Sequence, residues 1–130
     1  MLFESTRGGD KGKTFEEVLL KGLADDGGLY VPSEWPEADN SKFKKCNSFI
    51  DIAKLIVPLF TGSSYRKEEV ITLLENTWHD FEKTDLVGIK KINDEIIIGE
   101  LFHGPTAAFK DFGLQSVSYT HLRAHETSQH

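Results

Sequence analysis

Helical periodicity runs through the earlier part of the chain and stops at Lys83-Thr84-Asp85. Beyond that point "LVGIKKINDEIIIGELF" is rich in β-branched residues and reads as strand. This change of period predicts a helical unit leading into a hairpin. The two strands are expected over 87–92 and 95–102, joined tightly at Asn93-Asp94, where both residues tolerate positive φ. The run Ile96-Ile97-Ile98 is apolar on both strand faces, so burial is expected there.

Upstream, "STRGGDKGK" reads as an exposed loop. Gly8, Gly9 and Lys11 sit close together, but their spacing is not that of a phosphate-binding loop, and a turn is expected. Thr14 and Glu17 then form a capping box before Phe15, Val18, Leu19 and Leu23, which line one face of a short helix. Gly27 and Gly28 are expected to break it, with Leu29 to Val31 extended before Pro32. "SEWPEADNSKFKKCN" reads as a polar connection. Ser48 and Asp51 make a second capping pair for "FIDIAKLIVPLF", which Pro58 should end or kink near Val57. A third helix fits "YRKEEVITLLENTWHDF", with Val70, Leu73, Leu74 and Trp78 on one face. His79 and Asp80 would be adjacent helical residues, whose side chains point apart, so His79 is expected at the surface.

The 130 residues suffice for one small domain with its own core. A net charge of −6 excludes a broadly basic nucleic-acid or anionic-membrane surface. Cys46 is the only cysteine, which rules out an internal disulfide and suits a reducing compartment. No apolar run is long enough to span a membrane, and "MLFESTRGGDKGK" lacks the apolar stretch of a signal peptide. A cytoplasmic protein without nucleic-acid or membrane partners is expected, its oligomeric state left open.

The chemistry concentrates in "ELFHGPTAAFKDFG". Gly104-Pro105 punctuates the second strand, Thr106 can cap the helix that follows, and Lys110 falls in that helix's first turns. The helix N-terminus and partial burial between Phe109 and Phe112 would both favour a neutral, nucleophilic amine. For an arbitrary lysine, a surface position paired to Asp111 or to nothing is the ordinary outcome.

"ELFHGPTAAFKDFG" resembles the cofactor-lysine motif of threonine synthases, matching at Glu100 to Thr106 and at Phe109 to Phe112. "STRG" and "TFEEVLLKGLADDGGLYVP" resemble the family's N-terminal domain, in the expected order. The resemblance covers residues 1–115 and implies an α/β fold: a helical/α+β N-terminal domain of a fold-type II enzyme over 1–85, then the start of the cofactor domain over 86–115. It implies that Lys110 binds pyridoxal 5′-phosphate and acts as the catalytic residue, with Phe109 and Asp111 on the cofactor side and His103 and Thr106 in supporting roles. Arg7 and Asp25 to Gly28 are weaker candidates, with loop structure favoured. The implied reaction is a carbon–oxygen lyase step, converting O-phospho-L-homoserine and water to L-threonine and phosphate. Related phospholyases share the lysine motif but release phosphate without making threonine. The family's phosphate-binding loop and its partner for the pyridine nitrogen are not found in these residues, so the chain is expected to be an inactive fragment.

The tail "SVSYTHLRAHETSQH" breaks with that pattern. His121 and His125 stand at helical metal-ligand spacing, near Glu126 and His130. A short non-catalytic binding protein using that tail is the rival reading. However, Val117 to Glu126 can be written in codons that spell a common sequencing-library adapter in one frame, and Thr127 fits the next bases. Residues 116–130 are therefore expected to be non-native, and no metal site is expected.

Overall fold

The structure is a computed structural model that describes residues 1–83 and 85–116. Its elements run β1 (Phe3–Ser5), α1 (Phe15–Lys21), β2 (Tyr30–Pro32), α2 (Asn40–Phe43), α3 (Phe49–Thr61), α4 (Lys67–Asn76), β3 (Gly88–Lys91) and β4 (Ile97–Glu100), with helical residues again over 110–116. Mixed helix and strand was the expected class.

The caps form as their residue types dictate. Thr14 and Glu17 complete a reciprocal capping box on α1, and the Ser48 hydroxyl accepts the Asp51 N–H on α3. The helix α1 stops at Gly22, with φ +78, rather than at Gly27. A residue at that φ cannot continue a right-handed helix, so the earlier glycine ends it. β1 pairs antiparallel with β2, Phe3 opposite Pro32 and Ser5 opposite Tyr30, a pairing that joins the chain start to the expected extended segment. The polar connection contains the single turn α2, capped by Asp39.

Pro58 neither ends nor visibly shortens α3, which continues to Thr61. The ring removes one N–H donor, but the Pro58 carbonyl is well used: it accepts both the Thr61 hydroxyl and the Gly62 amide, each at 3.3 Å. A proline one turn from the helix end therefore closes the last turn instead of breaking it.

The core lies where α3 and α4 pack together. Ala53, Tyr65, Val70, Leu74, Trp78, Phe81 and Leu86 are buried, with Phe15, Phe49, Val57 and Phe112 packed against them. Trp78 lies beyond α4 at φ +62, and this unusual backbone turns its ring into the core. His79 and Asp80 also lie beyond the helix, where Nε2 and Oδ1 approach to 3.3 Å. The expectation that they point apart fails because the backbone there is not helical.

The hairpin has the expected strands but not the expected turn or burial. β3 pairs with β4 with Gly88 opposite Glu100 and Lys91 opposite Ile97. Neither Asn93 nor Asp94 has positive φ; instead the Asn93 side chain accepts the Glu95 and Ile96 amides at 2.8 and 2.9 Å. Ile96, Ile97 and Ile98 are 51%, 65% and 45% exposed, correcting the expected burial. Among the described residues this sheet has two strands, and no third strand covers them.

Candidate functional site

The strand end after β4 becomes a site through three local arrangements. In the first, His103 turns inward to 8% exposure, and its Nε2 lies 3.3 Å from Glu100 Oε1. Lys83 Nζ approaches the same oxygen at 3.8 Å. Gly88, opposite Glu100 across the hairpin, leaves room for the pair: a Cβ there would lie 2.9 Å from His103 Nε2. The His103 carbonyl accepts the Glu82 amide at 3.0 Å, tying the strand end to the segment after α4.

In the second, the chain turns over 104–109 before becoming helical at Lys110. Ala107 donates its amide to the Gly104 carbonyl at 3.1 Å and has φ +58. Thr106 does not cap the helix as expected, because the helix starts four residues after it. Its amide and hydroxyl instead reach forward to Asp111, donating to Oδ2 at 3.0 Å and to Oδ1 at 2.7 Å. Asp111 is 3% exposed. Gly104 packs against this carboxylate so closely that a Cβ would lie 2.6 Å from the Asp111 Cβ.

In the third, Phe112 fastens the helical residues to the core. Its ring lies 4.9 Å from Phe81 and 5.3 Å from Phe49, and its carbonyl accepts the Trp78 indole N–H at 2.9 Å. Phe112 is thus half-buried while Phe109 is 67% exposed, and Lys110 is exposed. The partial burial of Lys110 between two phenylalanines is not found: one of them faces the core and the other faces outward. No hydrogen bond or ion pair engages the Lys110 amine among the described residues.

The structure therefore joins Thr106 to Asp111 and His103 to Glu100, and leaves Lys110 and Phe109 outward. Gly88, Lys83 and Trp78 were not singled out for the site, since each comes from a distant part of the chain. The Glu100–His103 spacing was the one local signal available.

Arg7 and the Asp25 to Gly28 turn hold loops together. Asp26 accepts the Ser5 hydroxyl at 2.7 Å and the Gly9 and Gly28 amides at 2.8 and 2.9 Å, while Arg7 Nη1 donates to the Asp26 carbonyl at 2.9 Å. The Ser5 hydroxyl first, and then these amides and Arg7, hold the Asp26 carboxyl below its ordinary value. Cys46 is half-buried, its Sγ 3.5 Å from the Lys42 carbonyl. Among the described residues no three His, Cys, Asp or Glu side chains are placed to hold a metal, and no helix is long and apolar enough to cross a membrane. The cluster of His121, His125, Glu126 and His130 lies outside the described residues.

The site thus combines a small helical unit with a strand, a glycine-proline turn and a helix that begins at Lys110. The PLP-bound threonine synthase from Brucella melitensis superposes with a TM-score of 0.90 at 29% identity, over 99% of this chain and 28% of that one. The family profile for the threonine synthase N terminus matches residues 2–78, and the chain belongs to that family. The threonine synthase of Schizosaccharomyces pombe is 40% identical over 114 residues, 85% of this chain and 22% of that protein. Threonine synthase-like 2 of Xenopus laevis is 34% identical over 120 residues, 90% of this chain and 25% of that protein. The chain thus spans about a quarter of the length of these curated relatives.

Proposed function

We propose that these residues serve in a pyridoxal-phosphate-dependent threonine synthase, which converts O-phospho-L-homoserine and water to L-threonine and phosphate. In this reading 1–85 form the N-terminal domain and 86–115 begin the cofactor domain. One observation carries it: Lys110 stands exposed and unengaged at the first helical residue after a strand and a tight turn, beside an aspartate committed elsewhere.

The residues present suit the cofactor's aldehyde, since an outward primary amine is what a carbonyl group requires. The bound cofactor supplies an electron sink for the substrate's carbon framework. Lys110 would hold it through Nζ and, when released, carry protons between substrate carbons. Phe109, exposed next to it, offers an apolar surface to whatever occupies the site. His103 and Glu100 brace the strand end behind the turn, while Thr106 and Asp111 hold the turn itself. Ile97, Phe102 and Phe109 are exposed apolar side chains that further parts of a whole protein would cover.

The whole gene product should release phosphate and form threonine in equal amounts from O-phospho-L-homoserine, and Lys110→Ala should abolish both. A threonine-synthase-like phospholyase is the second reading, since the chain is similar to threonine synthase-like 2 as well as to threonine synthases. Phosphate release without threonine would establish that reading and overturn the first.

A further inference from the structure

We propose that Thr106 and Asp111 form a clamp whose task is to aim Lys110, and that both are positioning residues for it. The inference rests on the reading of Lys110 given above.

The clamp closes a ring of six residues, with Lys110 just inside its C-terminal end. Both oxygens of a carboxylate that is 3% exposed accept donors from one residue, Thr106. A buried carboxylate needs such donors, because leaving water without them is costly. The only positive φ outside glycine in this stretch, at Ala107, lies within the ring. Such a conformation persists where its surroundings over-determine it, and here they are the Ala107–Gly104 hydrogen bond on one side and the two bonds to Asp111 on the other.

Consecutive residues of a helix project about 100° apart around its axis. With Asp111 pinned inward and Phe112 seated on Trp78, Phe49 and Phe81, Lys110 has one remaining direction, toward solvent. Asp111 is also turned from the lysine by the same geometry, so it leaves the amine unneutralised. Gly104 belongs to the device because any side chain there would meet the carboxylate. Thr106 matters twice, through an amide that every residue except proline has and through a hydroxyl that only serine can replace at the same place.

The test uses the 130-residue chain and the variants Thr106→Ser, Thr106→Val and Asp111→Asn, with Lys110→Arg as the assignment and labelling blank. Backbone 15N relaxation should show ordered amides over 107–110 in the wild type and Thr106→Ser, and clear loss of order there in Thr106→Val and Asp111→Asn. The Trp78 indole N–H resonance, which depends on the Phe112 carbonyl, reports whether the fold survives. Unchanged order in both disruptive variants would overturn the clamp, as would a Thr106→Ser variant that behaves like valine. If a disruptive variant does not fold, hydrogen exchange in the wild type decides: the Thr106 amide should exchange at least tenfold slower than the Phe109 amide, and equal rates would overturn the proposal.

A separate arm treats each protein with pyridoxal phosphate and borohydride and maps the label. The share on Lys110, relative to the other lysines, should fall several-fold in Thr106→Val and Asp111→Asn and hold in Thr106→Ser. An undiminished share in both disruptive variants would overturn the aiming role. If Lys110→Ala leaves threonine formation by the whole gene product intact, the reading of Lys110 as cofactor residue fails while the relaxation result still judges the clamp.

Discussion

A carboxylate that accepts three donors gives up its ionised form reluctantly, and Asp26 accepts the Ser5 hydroxyl and the Gly9 and Gly28 amides. Its folded value lies below the ordinary 3.8, so the stability it contributes is present above that value and is lost as pH falls through the folded one. Asp26→Asn should therefore melt lower than the wild type near neutral pH, and the gap should narrow in acid below about pH 4, read from melting curves across pH. Tyr65 presents the opposite case. Its hydroxyl is buried with no hydrogen-bond partner among the described residues, and burial, with Glu16 and Glu69 adding to it, pushes its pKa up. Removing an unpaired buried hydroxyl spares its desolvation, so Tyr65→Phe should be neutral or stabilise by up to about 1 kcal/mol in urea unfolding. Gly104→Ala should cost about 1–3 kcal/mol in the same experiment, because the added methyl meets Asp111 and either the turn or the carboxylate has to shift.

At the scale of elements, what could be read early was what is local. The caps of α1 and α3 depend on residues three apart, and both formed where Thr14, Glu17, Ser48 and Asp51 placed them. Ser48→Ala should lower stability by about 1 kcal/mol, measured by thermal or urea unfolding, since it orphans the Asp51 amide. Pro58 misled because its position relative to the helix end, not its presence, decides whether it breaks the helix. Strand identity in β3 and β4 was legible from β-branched composition, whereas their burial was not. Burial needs a neighbour, and the sheet here has two strands. Replacing Ile97, which is 65% exposed, with threonine should change the stability of this chain by no more than about 0.5 kcal/mol.

For the molecule as a whole, the exposed Lys110 bears on what the 130-residue chain can hold. A cofactor phosphate requires a cup of donors, and the amine alone gives a weak, reversible attachment. After incubation with pyridoxal phosphate and dialysis, this chain should keep no stoichiometric cofactor absorbance, and a stable stoichiometric band would overturn that expectation. Reading the source locus across the Gln115 codon by a different library method would test whether the adapter-like residues belong to the gene. The sequence by itself determined the helix caps, the order of helices followed by a hairpin though not the end of α4 at Asn76, and the family through two ordered motifs, because each depends on residues near one another in the chain. The tertiary structure alone decided that Asp111 faces Thr106, that His103 is buried against Glu100 in the space left by Gly88, and that Phe112 takes the core side while Phe109 and Lys110 face out. Those outcomes rest on contacts with Trp78, Phe49, Phe81 and the opposite strand, and the competition among side chains for one core is settled only when the distant segments meet.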